Sequence, residues 1–306
     1  LSNHKIHNMP DSNYFKDYFD HLHNRLQTAN TADLEQAAQL AYQAAQQKHK
    51  IICVGNGGSA AMASHVTVDF TKAAGMRATE VLEAVEAFEV NPDVRVLMFT
   101  GSGKGFSAGG DMDFMEQLSQ MPPFEIKETV YKHFAGAAKA IKLCPKPTIA
   151  AVNGAAVGAG CEIAVACDFR IASEHAMFSE AWIKLGVIAP LGGMFLLPQI
   201  VGLSKATEML MLGTQVGAEE AMSIGLANKV VPADALLEEA MALGRQLADG
   251  PARAQAVIKE GLRRGMESTL AAEWEHNIYA QSMLISSGDF AEAVQAFKEK
   301  RKPVFG

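Results

Sequence analysis

Three times this chain runs an apolar segment straight into a glycine-rich turn. IICV at 51–54 leads into GNGGSA, VRVLMFT at 94–100 into GSGKGFSAGG, and PTIAAV at 147–152 into NGAAVGAG. The first and third continue at once into helix-like runs, AMASHVTVDFTKA and CEIAVAC. Apolar runs this short, closed by glycine, are the mark of buried strands. Alternating with amphipathic segments, they place the chain in the α/β class. The glycines matter for chemistry too, because they let a ligand approach the backbone closely where N–H groups are free to bind it.

The rest of the chain fits that class. Helical periodicity covers 11–26 and 31–47; Thr31 caps the second, and Leu34, Ala37, Ala38, Ala41 and Ala45 form its apolar face. Further helices are expected over 79–90 and 124–143, the latter ended by Pro145 and Pro147. FRIAS and AMFSE read as strands, and from Ser204 the pattern is nearly all helix: 204–212, 218–224, 234–248, 251–265, 269–286 and 288–300. Six of the nine histidines lie before residue 78, where glutamine is also dense; beyond it Gly, Ala, Met and Glu dominate. That shift marks a boundary.

With 306 residues, 49% hydrophobic and 20% charged, the chain is long enough for a large core and too apolar to be disordered. Its net charge of -7 argues against a nucleic-acid partner. Cys53, Cys144, Cys161 and Cys167 show neither CxxC nor zinc spacing and read as buried, reduced thiols, so a cytoplasmic location is expected. The longest apolar stretch, 147–167, carries Asn153, Glu162 and several glycines, so no membrane partner is expected.

Two turns hold the candidate chemistry. In FSAGGDM the available N–H groups cluster at Gly110; in NGAAVGAGCE they cluster at Ala159, where a helix begins. Two convergent N–H groups at a helix start make an oxyanion hole, suited to a carbonyl oxygen that gains negative charge, as a thioester does on enolisation. The same glycines also suit tight turns inside a sheet. Glu162, beside that helix start, is a carboxylate placed for general acid–base work, or else an ordinary solvated helix residue.

Taken in order and spacing, NPDVRVLMFTGSGKGFSAGGDM, KPTIAAVNGAAVGAGCEIAVACDFRIAS, AMFSEAWIKLGVIAPLGGMFLLPQIVG, GAEEAMSIGLANKVVP and FKEKRKPVFG resemble the crotonase (enoyl-CoA hydratase/isomerase) family over residues 79–306. The resemblance implies a ββα spiral with a helical oligomerisation region over about 247–306, assembled as a homotrimer or hexamer. It implies an acyl-CoA substrate, no cofactor beyond the coenzyme A thioester itself, and no metal. By resemblance Gly110 and Ala159 are the oxyanion-hole positions, Ala108 contacts the adenine end of CoA, and Glu162 is the first of the family's two glutamates. Trp182 stands where hydratases hold the second, and Pro190 where some isomerase relatives hold an acid. The usual two-carboxylate machinery is therefore incomplete. Trp182 is expected to shape an acyl pocket or fill core. Glu180, two residues earlier, reaches the cleft if the strand stays extended and is otherwise a rim carboxylate. Lys298, Lys300, Arg301 and Lys302 are candidates for the CoA phosphates.

Residues 12–78 resemble the opening of a SIS (sugar isomerase) domain of the phosphoheptose isomerase type, on SNYFKDYFDHLHNRL and IICVGNGGSAAMASHVTVDFTKAAGMRA. That resemblance implies phosphosugar binding or isomerisation, with Ser59 and the backbone of Gly57 and Gly58 on the phosphate. His65 and Asp69, four apart on one helix, match metal-ligand and catalytic positions, but two ligands do not make a tight zinc site. The SIS pattern stops near 78, and the crotonase family's opening strand pair has no counterpart before 79. The domain reading is thus a SIS-like fragment at 1–78 joined to a crotonase-like domain at 79–306. The arrangement is that of a chimera, which a broken CoA channel would leave catalytically impaired.

Overall fold

The computed structural model describes residues 78–110, 112–130 and 135–306. The segments 11–26, 31–47 and 51–54, Cys53, and the SIS-like region lie outside them.

The described strands are β1 (Leu97–Thr100), β2 (Gly105–Ser107), β3 (Thr148–Val152), β4 (Ala155–Val157), β5 (Phe169–Ser173), β6 (Met177–Ser179), β7 (Val216–Gly217) and β8 (Lys229–Val231). They form two sheets, in the orders β1-β3-β5-β8 and β2-β4-β6-β7. The first sheet is parallel throughout, with Leu97 opposite Thr148, Ile149 opposite Phe169 and Ile171 opposite Lys229. In the second, β2, β4 and β6 are parallel and the short β7 pairs antiparallel to β6. Each of the first three turns of the chain therefore gives one strand to the first sheet, one to the second, and then helix; in the last, β7 joins the second sheet before β8 joins the first. That repeat is a ββα spiral.

β3 is buried at every position, which is why its sequence, TIAAV, shows no polar alternation. One of its faces joins Ile171, Val231, Leu236 and Ala240 beneath the Leu236–Ala248 helix. The other looks into the main core, with Phe88, Leu97, Val152, Phe178, Leu197 and Met209. Asn153 laces the corner where both glycine-rich turns leave the sheets. Its Oδ1 accepts from Gly101 N at 3.1 Å, and its Nδ2 donates to Gly103 O at 3.0 Å and Gly105 O at 3.2 Å. The one polar residue in the turn thereby satisfies backbone groups that two converging loops would otherwise leave unpaired.

Two cations, one half-buried and one buried, hold the spiral together. Lys146 Nζ donates to the carbonyls of Phe88 at 2.7 Å, Asn91 at 2.6 Å and Val94 at 2.9 Å, closing the end of the Ala78–Val90 helix. Arg170, 5% exposed, donates to Leu226 O at 2.6 Å and Cys167 O at 2.7 Å, tying β5 to the chain before β8.

Among the described residues the expected elements are found with shifted ends. The helix expected over 124–143 is described in two stretches, Pro123–Val130 and Gly136–Leu143. Three differences have clear causes. Residues 105–107 and 155–157, read as turns, are short strands, because three residues are too few to show a period. A helix at Gly193–Val201 carries Gly193 and an internal Pro198, the residues that argue against one. The strand expected over AMFSE ends at Ser179, so Glu180 lies beyond it (φ -85°, ψ 66°) and opens a 3-10 turn at Ala181–Leu185. Cys144, Cys161 and Cys167 are free and buried, as read from their spacing. Among the described residues no helix is long and apolar enough to cross a membrane.

Candidate active site

The site forms where the loop after β2 meets the loop after β4. Gly109, at φ +93°, turns the first loop so that its backbone lies against the second. A Cβ at Gly109 would stand 2.8 Å from Val157 O and 3.7 Å from Ala159 N. Gly109 N donates to Ser107 Oγ at 3.3 Å, which fixes the turn. Gly158, at φ +54°, lets the second loop break from β4 straight into the Ala159–Ala166 helix. Neither conformation is open to an ordinary L-residue without strain. Gly110, half-buried, follows Gly109 in the first loop; Ala159, 2% exposed, is first in a helix whose opening N–H groups have no partner within it. Ala108 is exposed on the outside of the first loop.

Glu162 sits one turn into that helix and is 1% exposed. Its Oε1 accepts from the N–H of Leu191 at 2.8 Å and of Gly193 at 2.9 Å, both at the start of the Gly193–Val201 helix. Its Oε2 has no hydrogen-bond partner among the described residues. Burial raises the carboxyl to about 7, against the opposing pull of the two backbone donors and of the Trp182 indole N–H. That indole faces Glu162 without reaching hydrogen-bond geometry, and its Nε1 is likewise unpartnered. The solvated-helix alternative for Glu162 is excluded by this burial. A carboxyl balanced near neutrality can both take and return a proton.

Trp182 lies over the helix start: a Cβ on Gly158 would stand 3.5 Å from its Cε2. It is half-buried and packed on the main core beside that helix start. Glu180 is not a rim carboxylate, since it is 1% exposed with both oxygens buried and unpartnered among the described residues. The chain turns inward after β6, and no spacing argument detects that. Burial, then the charge of Glu162, raises its carboxyl to about 8, with the Cys161 thiol pulling the other way.

The basic C-terminal cluster is partly committed elsewhere. Arg301 grips Glu292 through both terminal nitrogens and Glu299 through Nε at 2.6 Å, while Lys302 Nζ lies 3.3 Å from Asp249 Oδ2. Ser59, Gly57, Gly58, His65 and Asp69 lie outside the described residues. Among the described residues, no three His, Cys, Asp or Glu side chains cluster as metal ligands. The site residues that sequence reasoning missed are Leu191 and Gly193, whose contribution is a backbone N–H.

The chain is similar to known proteins over most of its length. The family model for enoyl-CoA hydratase/isomerase matches residues 74–306, and a SIS domain model matches residues 13–100, the two overlapping over 74–100. The chain is 38% identical over 231 residues to crotonyl-CoA hydratase of Syntrophomonas wolfei, covering 74% of this chain and 86% of that protein. It is 36% identical over 228 residues to the mitochondrial enoyl-CoA hydratase of Pongo abelii, covering 74% and 76%. Among solved structures, an enoyl-CoA hydratase from Polaromonas superposes with a TM-score of 0.72 at 31% identity, covering 75% of this chain and 89% of that one.

Proposed function

The chain belongs to the enoyl-CoA hydratase/isomerase family, and from that premise we propose that it stabilises the enolate of an acyl-CoA thioester and moves a proton on it through Glu162. The observation that carries this reading is Glu162 itself. It is a carboxyl buried beside the junction of two loops and held by backbone donors so that its proton affinity lies near neutrality.

In this reading the thioester oxygen lies between the N–H groups of Gly110 and Ala159. As the α-carbon gains or loses a bond, negative charge builds on that oxygen, and each donor stabilises it by roughly 3–4 kcal/mol. Glu162 supplies the other half of the balance. In hydration of a 2-enoyl thioester it takes a proton from water as the oxygen adds to the β-carbon, and a proton is then returned to the α-carbon. In double-bond migration it takes a proton from one carbon and gives it back two atoms away. Trp182 closes the acyl end, the exposed backbone at Ala108 receives the adenine end of CoA, and no cofactor beyond the thioester takes part. Lys298 and Lys300 remain the cluster's candidates for the phosphates.

The C-terminal helices support self-association as a trimer or a pair of trimers. Leu262, Leu270, Trp274, Tyr279 and Phe297 are each more than half exposed, and so many large apolar side chains on neighbouring helices favour burial against another copy. Sedimentation of the purified chain tests that.

The catalytic reading is tested by Glu162→Gln. Turnover of crotonyl-CoA should be lost while acetoacetyl-CoA, which mimics the enolate, still binds. Equal turnover in the variant overturns the assignment.

A further inference from the structure

Four of the five buried side-chain polar atoms without a hydrogen-bond partner among the described residues lie at one place: Glu162 Oε2, both oxygens of Glu180, and Trp182 Nε1. Such atoms are costly, and so many together in one patch are not an accident of packing. The machinery above uses Glu162 and the Trp182 ring but gives Glu180 no task.

Glu180 reaches this place from a different element. It follows β6, whose Ser179 O accepts from Gly158 N at 2.8 Å at the entrance to the Glu162 helix. It also opens the turn that carries Trp182. It is as deeply buried as Glu162, at 1% exposure, and close enough to feel that group's charge. Among the described residues, the only other titratable group that faces it is the Cys161 thiol, fully buried, a weak donor, and itself pushed up by burial and by Glu180. Among the described residues, no cation contributes to the shift of either carboxyl. Two carboxyls in one dry space without a counter-ion cannot both carry charge cheaply.

We propose that Glu180 is a positioning residue that acts through Glu162: a neutral carboxyl buried against it, which leaves the pair a single negative charge and places that charge on Glu162. This rests on Glu162 being the proton-transfer group.

The balance is simple. At neutral pH the pair carries one proton fewer than its maximum. Glu162, which has two backbone donors on Oε1, is the better seat for the charge, and Glu180 keeps its proton. Glu162 then takes a proton from the substrate or from water, and the pair passes to the neutral state. When Glu180 also ionises in alkali, its charge opposes the growing enolate in the same dry space. Turnover therefore rises through the first ionisation, near 7, and falls through the second, near 8.

The test is the pH profile of kcat/KM for Glu180→Gln, an isosteric change that removes the ionisation. The acid limb should remain and the alkaline limb should vanish, so that at pH 9.5 the variant exceeds the unaltered protein by roughly 10-fold or more. Superimposable profiles overturn the inference, since a merely structural Glu180 leaves the alkaline limb in place. If Glu180→Gln does not fold, NMR of the full chain with carboxyl-labelled glutamate decides. The Glu180 titration should move to lower pH in Glu162→Gln, where the neighbouring charge is gone, and an unmoved titration refutes the coupling. An active Glu162→Gln would instead sink the catalytic reading, and the NMR measurement would still report on the pair.

Discussion

Replacing Gly193 with alanine puts a methyl group against the carboxylate on which the site depends. The new Cβ would stand 3.0 Å from Glu162 Oε1, 3.1 Å from its Cγ and 3.3 Å from its Cδ. Contacts this short require the carboxylate to retreat by a few tenths of an ångström. The hydrogen bonds from Gly193 N (2.9 Å) and Leu191 N (2.8 Å) lengthen or break. A hydrogen bond to a charged group contributes about 1.5–3 kcal/mol, and about 1.4 kcal/mol corresponds to one pKa unit. Losing one of these bonds therefore lifts the Glu162 carboxyl from about 7 to roughly 8–9. Because the ionised form is the base, the acid limb of kcat/KM moves to higher pH. At pH 7 the active fraction falls by roughly 5- to 50-fold. The overpacking itself costs about 1–3 kcal/mol of stability. The assay is kcat/KM against pH on crotonyl-CoA, with a thermal melt to show that the variant folds. A folded variant whose acid limb coincides with that of the unaltered protein would refute the reasoning, because Glu162 would then owe nothing to these two donors.

Other perturbations have equally definite outcomes. Gly109→Ala places a β-carbon 2.8 Å from Val157 O at φ +93°, a strain of roughly 1–3 kcal/mol, so kcat should fall by about 100-fold or more as the Gly110 donor leaves its place. A kcat within threefold of the original would argue against the two-loop hole. Lys146→Met removes three carbonyl contacts from the end of the Ala78–Val90 helix and should cost about 2–4 kcal/mol in denaturant unfolding, without moving the pH profile. Glu180, with its folded carboxyl raised to about 8, binds its proton more tightly folded than unfolded. Stability is therefore lost as pH rises from the unfolded value near 4.5 towards 8. Glu180→Gln should accordingly gain melting temperature relative to the unaltered protein between pH 5 and pH 8.5, and a constant difference would contradict the burial argument.

How much of this was legible in the sequence depended on where the signal was carried. The long apolar or amphipathic runs announced themselves: TIAAV as a buried strand, CEIAVAC as a helix start, and the whole helical tail. What escaped notice was held by tertiary contact. Three-residue strands such as Ala155–Val157 have no period, and the Gly193–Val201 helix forms despite Pro198 because packing overrides propensity. Glu162 was found as a residue type at a helix start, but its donors are the N–H groups of Leu191 and Gly193, which no side-chain pattern advertises. Spacing put Glu180 toward the cleft if the strand stayed extended and on the rim otherwise. The strand ends at Ser179, and the turn that opens at Ala181 leaves Glu180 buried rather than on a rim. Resemblance supplied the pairing of Gly110 with Ala159, and the positive φ angles at Gly109 and Gly158 are the physical reason those two loops can meet.

The most direct test is calorimetric titration of the purified chain with acetoacetyl-CoA against free CoA. An enolate-like ligand seated between the Gly110 and Ala159 N–H groups should bind at least roughly 10-fold more tightly than CoA, about 1.4 kcal/mol or more, and the difference should survive Glu162→Gln. Equal affinity for the two would contradict the oxyanion hole and with it the proposed chemistry.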